Sequence, residues 1–148
     1  MLTVELERFA ANVERVLREK PHIRRAMFEA IAAIAKGEVD SNIGSMLNDS
    51  GGKIRSWQES KVGEKGGYAR VKPVRGGSGR DSPGAVTNYL HSGHKQHPGQ
   101  FVKRIGVRLK RSYVPGRPFY SAAAASVVPK ADAMAQEFVE LIASMLEG

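Results

Sequence analysis

The chain has 148 residues, 41% of them apolar and 26% charged, a formal net charge of +8, and no cysteine. That suffices for one domain with a core of its own and excludes wholesale disorder, disulfide scaffolds, thiol catalysis and cysteine-ligated metal chemistry. No apolar run approaches the roughly 20 residues that span a bilayer, and the opening MLTVELERFA has glutamates where an export leader needs a basic and then an apolar stretch, so a soluble, unexported chain without a membrane partner is expected.

Residues 3–20 read as a helix, with Leu6, Phe9, Val13, Val16 and Leu17 on one stripe and Thr3 as its cap. Pro21 opens a second helix that is expected to stop at Gly37, its stripe being Ile23, Met27, Ala30, Ile31 and Ile34. A short helical turn is expected at 42–48. From Gly51 the character changes. Residues 53–62 fit neither a helical nor a strand period, whereas 68–74 alternate as a strand. The turn Gly63–Gly67 between them suggests a hairpin. Residues 75–84 and 91–99 have the composition of loops around a short apolar segment, Ala85–Leu90. Phe101–Tyr113 reads as the clearest strand, with Ile105, Val107 and Leu109 alternating with basic or small residues. Pro115-Gly116 suits a tight turn and Pro118 a first helical turn. An alanine-rich helix follows, which Pro129 is expected to kink or divide; its stripe is Met134, Phe138, Leu141, Ile142 and Met145.

The resulting expectation is one α+β domain over 1–148. It has N-terminal helices (1–50), a small antiparallel β-sheet with long basic loops (51–118), and a long C-terminal amphipathic helix packed on the sheet (119–148). The charge follows the same division. Residues 1–50 hold 7 basic and 8 acidic groups, 51–118 hold 15 and 3, and 119–148 hold 1 and 4. A cationic centre is the electrostatic footprint of nucleic-acid binding, and equally of a surface that meets acidic neighbours. Trp57, Tyr68, Tyr89, Phe101 and Tyr113 interleave with these cations, as stacking residues do in single-strand binders; the same residues at strand positions also fill cores and subunit interfaces.

Chemistry finds little purchase. His91, His94 and His97 recur every third residue, but neither a helix face nor a nearby carboxylate gathers them, so no metal site is expected. No G-x-S-x-G elbow is present, and the centre has only Glu59, Glu64 and Asp81 for acid–base work. Gly76, Gly77 and Gly79 lack the lysine and hydroxyl of a phosphate loop. No catalytic residue and no cofactor is expected.

Four segments taken in order resemble a known family. They are Ser50-Gly51-Gly52-Lys53-Ile54-Arg55-Ser56-Trp57, Tyr68-Ala69-Arg70, Asn88-Tyr89-Leu90-His91-Ser92-Gly93-His94, and Val114-Pro115-Gly116-Arg117-Pro118-Phe119-Tyr120, followed by alanines and an amphipathic helix. The pattern is similar to the tail-completion, or head–tail joining, proteins of phages with long non-contractile tails, a family often described as minor tail component or virion morphogenesis protein. It departs from the family at His91, near the place of a frequent acidic residue.

The resemblance implies a non-enzymatic structural virion protein assembled in the bacterial cytoplasm. It would form a homo-oligomeric ring at the neck, between the head-side connector and the tail tube or tail terminator protein, with phage DNA passing through without specific binding. It points to Arg55, Trp57, Tyr68, Tyr89, Gly93, His94, Pro115, Gly116, Arg117, Pro118 and Phe119 as assembly or architectural residues. The alternative is a nucleic-acid-binding module using the basic centre.

Overall fold

A computed structural model describes residues 11, 14–15, 17–64, 66–77, 79–96, 98–103 and 106–147. Most of the expected helix 3–20 lies outside the described residues; those of its residues that are described up to 19 are helical.

Helix α1 runs from Pro21 to Met46 without a break at Gly37, and so absorbs the separate turn expected at 42–48. The reason is energetic. A mid-helix glycine costs about 1 kcal/mol, whereas burying Val39 and Ile43 beyond it gains about 1.5–3 kcal/mol each. Those two side chains are 4% and 0% exposed. The helix stops at Leu47, whose backbone is extended and whose amide still donates to Ile43.

The ambiguous stretch 53–62 is two elements: one helical turn, α2 (Lys53–Ser56), and strand β1 (Gln58–Val62). Strand β1 pairs antiparallel with β2 (Ala69–Pro73), Ser60 opposite Val71, as the turn between them suggested. The segment expected to be loop and short apolar run contains helix α3 (Pro83–Ser92). Ser82 caps it by accepting from the Ala85 amide at 3.3 Å, and Pro83 takes the first position, where its missing amide costs nothing. His91 and Ser92 therefore end a helix and are not loop residues.

The long strand expected over 101–113 is corrected too. It becomes β4 (Phe101–Val102), a turn, β5 (Val107–Arg108), and β6 (Tyr113–Pro115). Gly106 has φ 64°, which turns the chain back so that β4 pairs with β5. Strand β6 pairs instead with β3 (Gly93–Lys95), His94 opposite Val114. The described residues thus form three separate two-stranded antiparallel ladders.

Helix α4 (Phe119–Glu147) is continuous through Pro129. Proline removes one backbone bond, to the Ala125 carbonyl, and both residues lie on the exposed side. Helices α1 and α4 are antiparallel. Val39 and Ile43 meet Phe119 and Ala123 in the main core cluster, joined by Ile54, Val71, Leu90 and Tyr120. At the other end Ile23 meets Ile142, flanked by Leu17 and Phe138. The β1–β2 hairpin lies on α1 as well. The C-terminal helix reaches that hairpin through its first turn and runs the rest of its length along α1, where Lys130 pairs with Glu38. The architecture is α+β.

Candidate functional site

The fold gathers most of the singled-out residues at one end of the molecule, where α1 stops and α4 starts. The junction is built on backbone. Gly93 leaves α3 with φ 83°, a conformation that favours glycine. A Cβ on Gly116 would lie 2.3 Å from the His91 carbonyl oxygen and 2.5 Å from the Gly93 amide nitrogen. A Cβ on Gly93 would lie 2.6 Å from the Val114 carbonyl oxygen. The two glycines let β3 and the turn before α4 touch main chain to main chain.

Around that contact each element is tied down. The Arg117 amide donates to the Leu90 carbonyl at 2.8 Å. Its guanidinium Nη1 donates to the Met46 carbonyl at 2.8 Å, satisfying an otherwise orphaned acceptor at the end of α1. The Tyr113 hydroxyl donates to the Ser92 carbonyl at 2.9 Å. Phe119 is fully buried, its ring 4.7 Å from Tyr120 and edge-on to His91 at 5.5 Å. Pro118 is exposed, and its carbonyl accepts from the Ala122 amide in the first turn of α4.

Arg55 serves the same end of α1 through a residue the sequence reading passed over. Asp49 is buried, and its carboxylate accepts from the amides of Ile54 and Arg55 at 3.0 and 3.1 Å and from Arg55 Nε at 3.2 Å. Arg55 Nη2 in turn donates to the Asp49 carbonyl at 2.9 Å. Burial pushes the Asp49 pKa up, but the two amides and the guanidinium outweigh it and hold the carboxyl below its ordinary value. The signal was available: aspartate before Ser-Gly-Gly is a capping residue in search of a helix.

A second missed group sits beneath the junction. Gln58 and Thr87 are buried polar residues, and Gln58 Nε2 donates to the Ile54 carbonyl at 3.2 Å and to Thr87 Oγ1 at 3.3 Å. The Tyr120 hydroxyl donates to Gln58 Oε1, and burial pushes the phenol up to about 12. This node joins α2, β1, α3 and α4. Nothing in sequence marks it, because its members lie 29 and 62 residues apart.

Two expected members stand elsewhere. Tyr68 is half exposed at the far end of the hairpin, among Arg24, Lys61 and Gly67 near the start of α1. Trp57 is half-buried with the Lys53 ammonium 5.1 Å from its ring. Tyr89 and His94, 5.5 Å apart, form a wall shared by two open clefts. The more apolar cleft holds about 540 Å³ and is lined by Leu47, Ile54, Leu90, Val114 and Pro115, with Arg111 at its rim. Among the described residues no group of three or more His, Cys, Asp or Glu could hold a metal ion; His97 lies outside them. No helix among them is long and apolar enough to cross a membrane.

Comparisons with protein-family models, with curated proteins and with solved structures return no match for this chain.

Proposed function

We propose that this protein is a structural subunit of a phage or related tail-like particle, a tail-completion protein that forms a ring between the head-side connector and the tail tube or tail terminator. The observation that carries the reading is the convergence of three of the four family-like segments on one junction. Their residues there act on helix ends and main chain: Arg117 on Met46, Arg55 on Asp49, Gly93 against Gly116. Such groups set the angle between elements, which is what a ring subunit must hold constant.

The test is co-assembly. Purified chain mixed with the connector and tail-tube proteins encoded beside it is expected to give rings or stoichiometric complexes by electron microscopy. Turnover of a substrate by the purified protein, or a gene remote from any virion operon, would overturn the reading.

A second reading rests on the pairing of aromatics with cations. Arg70 lies over the exposed Tyr68 at 5.8 Å and Arg108 over the exposed Phe101 at 5.9 Å. Those are the parts of a stacking surface for single-stranded nucleic acid. A gel shift whose affinity falls steeply with salt would favour it.

A further inference from the structure

The apolar stripe on α4 is covered at its start and bare at its end. Ala123 and Leu141 lie about five turns apart on one face. Ala123 is 1% exposed in the main core, whereas Leu141 is 50% exposed. Met145, one turn further, is 44% exposed, and Glu137, one turn before, completes the same stripe. The hairpin and α3 cover the start of the helix, while near its end Ile142 and the partly buried Phe138 turn into the second core cluster and Leu141 and Met145 do not. At the opposite end of the molecule lies the cleft of about 540 Å³, with Leu47, Ile54, Leu90 and Val114 as its walls. Its volume far exceeds the roughly 30 Å³ share of one water, which leaves room for side chains. Arg111 on its rim makes no ion pair among the described residues.

We propose that the last turns of α4 in one copy seat Leu141 and Met145 in the cleft of a second copy, with Glu137 meeting Arg111. The two surfaces match in both apolar character and charge. They cannot meet within one chain, because α4 carries Leu141 roughly 33 Å away from Phe119, which adjoins the cleft. A contact between different surfaces at opposite ends is heterologous. It repeats head to tail and closes into a ring when the rotation per copy allows. The inference rests on the ring reading and names the contact that makes it.

The absence of native cysteines makes a disulfide test clean. Both Arg111 and Leu141 are exposed. A full-length chain carrying Arg111→Cys and Leu141→Cys is expected to give a ladder of dimers, trimers and larger species on a non-reducing gel. The control pair Tyr68→Cys with Leu141→Cys is expected to give none beyond collisional background. In parallel, the variant with Leu141→Asp and Met145→Asp is expected to lose about tenfold or more in self-association constant by sedimentation. Arg111→Glu weakens association too, and adding Glu137→Arg restores it. If the native chain self-associates but the test pair links no better than the control and the aspartates change nothing, the docking is wrong and the ring reading stands. If the native chain stays monomeric up to millimolar concentration with no ladder, both fail.

Discussion

Asp49 and Gly116 each hold one end of the junction, and each gives a sharp expectation. The buried Asp49 carboxylate has a folded pKa below its ordinary 3.8. Stability from a depressed carboxylate is full above the unfolded value and is lost as pH falls through the folded one. The native chain is therefore expected to lose stability from about pH 4 downward, and Asp49→Asn to flatten that slope. At neutral pH the same variant is expected to cost about 1.5–3 kcal/mol, the worth of hydrogen bonds to a charged group. Urea unfolding at several pH values checks both. At Gly116 the neighbours of an added Cβ are main-chain atoms at 2.3–2.5 Å, which cannot swing aside. Gly116→Ala is expected to cost about 1–3 kcal/mol or more through overpacking, read as a fall in urea midpoint. Gly93, Gly116, Arg117 and Phe119 were singled out by the family resemblance, and the fold brings them to one junction; residue types marked only the Pro115-Gly116 turn and the helix start after it. They did not foretell Gln58 or Thr87, whose burial depends on partners far off in sequence.

Element boundaries are where local rules and packing compete. Gly37 is a fair helix stop by composition, yet α1 continues because Val39 and Ile43 bury behind it. An added Cβ there meets nothing within 4 Å. Gly37→Ala is thus expected to stabilise the protein by about 0.5–1 kcal/mol, opposite in sign to Gly116→Ala. Thermal unfolding monitored by circular dichroism distinguishes the two. A true C-cap at Gly37 would make the alanine destabilising. The hairpin was legible because a glycine turn between two short runs is a local signal. The run 101–113 misled because its alternation is also local, while a strand needs a neighbour along its length. Gly106 turns the chain first, and β6 finds its neighbour in β3.

At the scale of the molecule, few apolar side chains among the described residues are fully buried. The described core is Ile23, Ala32, Val39, Ile43, Phe119, Ala123 and Ile142. If the docking proposed above forms, burial of Leu141 and Met145 adds to that core. If copies bind one another only when folded, mass action makes the melting temperature rise with protein concentration. Calorimetry over a hundredfold concentration range is expected to show that rise in the native chain, and a much smaller one with Leu141→Asp and Met145→Asp. Equal melting temperatures across the range would mean that the fold stands alone.

Periodicity, charge and turn chemistry were enough to establish an α+β class, a cationic centre between less basic ends, the β1–β2 hairpin and a long C-terminal helix, because each depends on residues within a few turns of one another. The junction required the folded chain. Asp49 with Arg55, Gly93 with Gly116, Arg117 with Met46 and Gln58 with Tyr120 are held by distances of a few ångströms between elements that only packing brings together. The bare end of α4 is of the same kind. Ala123 and Leu141 share a helical face, and what covers one and not the other is the placement of the hairpin and α3, which no spacing within the helix can encode.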